Sequence, residues 1–175
     1  MFFETLSAIN DPNKQGSIDQ LSQVTGAVQQ LAKSQGINEN QMGSILSAFG
    51  GALQPALKQQ SNQLGGNQLT GMINQLTGSS GNAASIQSMI PPQMQQQIAQ
   101  VIATKTGMNA GMVQAMMPQL INSAMGMFKM GSPKPGIAAT GGNPLLSAFL
   151  DSNRDGSTDL GDVVKFAGRF LNAPN

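Results

Sequence analysis

The chain has 175 residues, enough to bury a hydrophobic core in one domain or in two small ones. Nine basic and eight acidic residues leave a net charge of +1, which excludes the clustered Lys and Arg of a nucleic-acid binder. Cys, His, Tyr and Trp are all missing, so an enzyme would have only Ser, Thr, Lys, Asp and Glu to work with, and disulfides, thiolate chemistry and imidazole-held metals are ruled out.

The opening Met1-Phe2-Phe3-Glu4 lacks the basic start and apolar stretch of a signal peptide, so a cytoplasmic location is expected. Leu21, Val24, Val28 and Leu31 recur at helical spacing. Ile45, Leu46, Phe49, Leu53 and Leu57 make a second stripe, with Pro55 expected to bend or end that helix. Residues 60–85 are richer in Gly, Asn and Ser, although Leu69, Met72, Ile73 and Leu76 suit a short helix. Met94–Thr104 and Met112–Lys129 are further helix candidates. The apolar run Met112–Phe128 is broken by Gln114, Pro118, Gln119 and Asn122, so it predicts no transmembrane segment. Residues 131–144, with Gly-Ser-Pro-Lys-Pro-Gly and Gly-Gly-Asn-Pro, read as a linker. No alternating β-branched run appears, and the expected fold class is all-α.

Two internal repeats emerge. Residues 28–58 align without a gap onto 99–129, with Gln29, Ala32, Gly36, Asn38 and Lys58 matching Gln100, Ala103, Gly107, Asn109 and Lys129. The implied unit is an αα-hairpin: a helix closed by Gly36 or Gly107, an apolar residue packing back, then Asn38 or Asn109 capping the next helix. Separately, Leu6–Leu31 aligns onto Leu146–Leu171 with eleven identities in 26 positions. Asp11, Asn13, Gly16, Ser17 and Asp19 thereby match Asp151, Asn153, Gly156, Ser157 and Asp159. The chain is thus expected to hold a helical domain over 1–130, a linker over 131–144 and a helix–loop–helix over 145–175. That last element would pack on its N-terminal counterpart or hang from the linker.

The C-terminal match carries the chemistry. Residues 40–150 contain no acid, whereas four aspartates fall within the twelve residues from Asp151 to Asp162. Asp151, Asn153, Asp155, Gly156, Ser157, Asp159 and Asp162 occupy positions 1, 3, 5, 6, 7, 9 and 12 of an EF-hand loop. A hard cation wants six to eight oxygens. Asp151, Asn153 and Asp155 would supply side-chain oxygens, Ser157 its carbonyl, Asp159 a direct or water-mediated contact, and Asp162 the closing carboxylate. Gly156 would permit the sharp turn. Pro144–Leu150 and Leu160–Leu171 would be the flanking helices. Calcium is the expected ion. Asp rather than Glu at position 12 leaves magnesium as the alternative, because a shorter side chain must come closer. The plainer reading is an Asx-rich cap with surface aspartates, but such turns seldom fill all these positions with Gly at the sixth. The N-terminal loop 11–22 has Gln15 at position 5 and Ser22 at position 12, and reads as a degenerate hand that pairs structurally.

The C-terminal loop also resembles those of cellulosomal dockerin modules, which likewise use Asp at position 12; the resemblance implies calcium ordering a helix pair for protein docking. The body of the chain resembles a bacterial family known only as domain of unknown function 937, particularly its cyanobacterial members. That likeness lies in Phe2–Asn10, in Gln30–Ala56, and in Gly107-Met108-Asn109 leading to Val113–Ile121. It implies a small helical protein without an established activity and offers no functional residues.

Seven of the twelve methionines lie at 108, 112, 116, 117, 125, 127 and 130, suiting either an adaptable binding face or core packing. Copper(I) capture lacks any supporting His or Cys. Gly pairs at 50–51, 65–66 and 141–142 lack the Lys-Ser/Thr ending and preceding strand of a phosphate loop. The expected function is a calcium-binding, non-enzymatic helical interaction protein with a protein partner or self-association. The alternative is a structural protein whose metal only stabilises it.

Overall fold

The structure, a computed structural model, describes residues 2–65, 68–73, 90–134, 143–151 and 160–171. Among them the helices are α1 (Phe2–Asn10), α2 (Ile18–Ser34), α3 (Glu39–Leu64), α4 (Pro92–Thr106), α5 (Ala110–Met130), α6 (Pro144–Asp151) and α7 (Leu160–Leu171). A shorter helical stretch covers 68–73 and buries Leu69 and Ile73. The described residues contain no strand, and one isolated antiparallel bridge joins Lys14 to Pro133. The fold is all-α.

The stripes become the core. Leu21, Val28 and Leu31 of α2, and Ile45, Leu46, Phe49, Leu53 and Leu57 of α3, are all buried in one cluster with α4, α5, α6 and α7. Each such side chain contributes about 1.5–3 kcal/mol when withdrawn from water. Helix α3 packs against α4, α7, α6 and α2, while α5 packs against α4, α2, α6 and α1. Met116, Met117, Met125, Met127 and Met130 are buried in this core, whereas Met112 is 41% exposed.

The two Gly-apolar-Asn segments lie at helix–helix corners and close differently. At the first, Gly36 takes φ 65°, its N–H donates to the Lys33 carbonyl (3.3 Å), and the Ile37 N–H donates to the Ala32 carbonyl (2.8 Å). That is a Schellman closure. At the second, Gly107 takes φ 72° and donates a single bond to the Ala103 carbonyl (2.8 Å), the simpler left-handed cap. Asn38 then caps α3 in a reciprocal box with Gln41, and Asn109 caps α5 by accepting from the Gly111 N–H at 2.8 Å.

Of the two outcomes expected at Pro55, a bend or an end, the helix does not end: α3 runs on to Leu64. Proline removes the bond to the Gly51 carbonyl, but Pro55 and Gly51 are both exposed, so water can take that carbonyl, while Leu53, Ala56 and Leu57 hold the helix to the core on either side. The segment read as a linker is anchored at both described ends. Gly131, Ser132 and Asn143 are buried, and residues 135–142 lie outside the described residues.

Candidate metal centre

The candidate loop is bounded by α6 and α7. Helix α6 starts at a side-chain cap, because the Asn143 Oδ1 accepts from the N–H groups of Leu145 (3.1 Å) and Leu146 (3.2 Å). Its Nδ2 donates to the Phe128 carbonyl (2.6 Å) at the end of α5 and to the Ser132 hydroxyl (3.2 Å). Asn143 is 2% exposed, so this buried amide ties the end of one helix to the start of the next with all its polar capacity used. Gly131 leaves it room: a Cβ there would overlap the Asn143 side chain.

Leu145, Leu146 and Phe149 fix α6 in the core, with the Phe149 and Phe128 rings 5.0 Å apart and tilted by 54°. The last carbonyls of a helix lack intrahelical donors. Here the Gln54 Nε2 of α3 donates to those of Phe149 (2.8 Å) and Leu150 (3.3 Å). Asp151 follows at once, exposed, as the final residue of α6. On the far side Asp162 falls in the first turn of α7, which is held by buried Gly161, Val163 and Ala167 and packs on α3 and α2. The boundaries expected for both flanking helices match to within one residue. Asn153, Asp155, Ser157 and Asp159 lie outside the described residues, and among the described residues there is no group of three or more acids suited to a metal.

The donor set itself suits a hard ion. Four aspartates and one arginine, Arg154, share twelve positions, so the segment carries a charge of −3 in an otherwise acid-poor chain. Carboxylate, amide and carbonyl oxygens are the donors that calcium and magnesium take.

The N-terminal loop is built differently. The Asp11 Oδ1 accepts from the Asn13 N–H (2.9 Å), making a local turn. The Gln15 N–H donates to the Ser132 carbonyl (2.9 Å), its Nε2 to the Pro133 carbonyl (2.9 Å), and the Lys134 N–H to the Asn13 carbonyl (2.9 Å). The residue at the fifth loop position is therefore committed as a donor to peptide. Gly16 does not take a positive φ; it is needed because a Cβ would sit 2.6 Å from the Ala8 carbonyl oxygen. Helix α1 packs on α6 and α2 on α7, so the helices flanking the two loops are neighbours in one chain.

Sequence reasoning missed Asn143 and Gln54. Asn-Pro before an apolar run signals a cap and first helical residue, and that signal was available. Gln54 is one of many glutamines and had none. No family model, curated protein or solved structure matches the chain, so its resemblances rest on the residues quoted above.

Proposed function

We propose that the chain is a calcium-binding, non-enzymatic helical interaction protein, with the ion held by Asp151, Asn153, Asp155, Ser157, Asp159 and Asp162. One observation carries this reading: both helices bounding the acidic segment are anchored independently in the same core, α6 through Asn143, Phe149 and Gln54, and α7 through Val163 and Ala167. With both flanking helices already held by the core, a divalent cation drawing the four carboxylates of the segment together would not first have to order those helices. Magnesium is the competing ion. The partner is another protein or a second copy, and the cytoplasm is the proposed location. Among the described residues no helix is long and apolar enough to cross a membrane. Kinship with the domain of unknown function 937 family is proposed on sequence alone and adds no activity.

A second reading, a structural or self-associating protein with a purely stabilising metal, is favoured by the burial of five of the seven clustered methionines. A sensor would expose them on binding calcium; a clamp would leave them covered. Calorimetric titration with calcium and then magnesium, with thermal melts in ion and in chelator, tests the shared claim. A chain that takes up no calcium and melts identically in both would sink it. Binding of a hydrophobic dye only in calcium separates sensor from clamp.

A further inference from the structure

A groove of about 780 Å³ lies between α2, α3 and α7, with Gly161, the residue before Asp162, at its edge. Buried Val28, Ala32, Met42 and Leu46 line its floor. Three cations, Lys33, Lys165 and Arg169, line the same groove against one acid, Glu39. They are three of the nine basic residues in the chain, and none has an ion-pair partner among the described residues. Glycine shapes the walls: a Cβ at Gly43 would collide with the end of the Lys165 side chain, so the bare Gly43 backbone lets the Lys165 Cε and ammonium lie against α3. The start of α3, with Asn38, Glu39 and Asn40, forms part of the lining and adds the positive end of a 26-residue helix.

We propose that this groove binds a single-chain anionic amphiphile, its apolar tail on the Val28–Ala32–Met42–Leu46 floor and its carboxylate or phosphate head between Lys33, Lys165 and Arg169. The volume falls in the range of small-ligand sites, roughly 300–1,000 Å³, in which an apolar lining is combined with a few placed polar groups. Each half of the ligand has a counterpart: the floor offers no polar partner for a polyanion, and the cations would repel a positively charged head. The three cations are exposed, so binding weakens as salt rises. The proposal is independent of the metal reading.

The test is calorimetric titration of the full chain, in chelator, with monomeric dodecanoate and dodecyl phosphate. Dodecyltrimethylammonium and inorganic phosphate serve as comparison probes, and a Lys33→Glu/Arg169→Glu variant is checked for an unchanged helical spectrum. Both anionic amphiphiles should bind, at least about tenfold more weakly to the variant, a difference of about 1.4 kcal/mol. Amide shifts on binding should map to α2, α3 and α7. Equal binding of the cationic amphiphile, equal binding of inorganic phosphate, or an unaffected variant would overturn the proposal. So would association with phosphatidylglycerol vesicles without any monomer binding.

Discussion

The repeated segments 6–31 and 146–171 share eleven of 26 residues, but their helices settle into the molecule in different ways. In the N-terminal one, α2 buries Leu21, Thr25, Val28 and Leu31; in the C-terminal one, α7 buries Gly161, Val163 and Ala167. Leu6 and Ala27 are exposed, while their counterparts Leu146 and Ala167 are buried. The loops differ in the same spirit. Loop 11–17 turns its polar groups to residues 132–134 and is completed by peptide, whereas the later loop retains four aspartates. The lesson is that a repeated sequence supplies a local grammar, and at loop 11–17 it is the neighbouring peptide of residues 132–134 that completes it. Once Gln15 donates to the Pro133 carbonyl, a carboxylate at that position would be a liability.

The contrast can be broken at matched positions. Calcium at a hundredfold over its dissociation constant should stabilise the chain by about 2.7 kcal/mol, or roughly 5–10 °C in melting temperature, and Asp151→Ala should lose all of it. A variant melting with unchanged calcium dependence would place the ion elsewhere. Gly16→Ala should cost about 1–3 kcal/mol by overpacking against the Ala8 carbonyl, equally in calcium and in chelator. Urea denaturation measures both, and a calcium-dependent loss would tie the first loop to the ion. Restoring the acids with Gln15→Glu and Ser22→Asp should cost about 1 kcal/mol through the lost donor and create no second site. Calorimetric stoichiometry rising to two ions per chain would show that the first loop lacks only its ligands. The smallest effect belongs to Asp11→Ala, at about 0.5 kcal/mol for one exposed turn bond, with calcium binding untouched. Set beside Asp151→Ala, it tests whether the same aspartate shapes a turn in one loop and holds an ion in the other.

The helices were legible because their apolar stripes are strong, and the corners because Gly36 and Gly107 take a positive φ while Asn38 and Asn109 supply the side-chain acceptor of a helix cap. The acidic loop stood out against a chain nearly free of carboxylates. What sequence could not carry was long-range: that Ser132 and Pro133 would complete loop 11–17, or that Gln54 would close α6. Such bonds depend on which surfaces meet, and polar residues have no periodicity to announce them. Pro55 left a bend or an end open for a related reason, and the end did not occur because burial on both sides outweighs the local breaker. The Asn143–Pro144 start of α6 was readable, but the surrounding glycines and prolines disguised it as linker.

The Gln15–Pro133 bond, one of three between residues 13–15 and 132–134, joins points 118 residues apart in the chain. Helix α1 packs mainly on α6 and α5, both late in the sequence. During synthesis at about 5–20 residues per second, loop 11–17 would therefore wait roughly 6–24 s for residues 132–134 to be made. Through that interval Ala8, buried in the finished fold, has no native cover from α5 and α6, and Phe3 of the same helix is 80% exposed even in the finished fold. Helix α1 is thus made well before the residues that secure it, and a nascent chain stalled before residue 132 should carry α1 as an unprotected, protease-sensitive segment however well its middle has already folded.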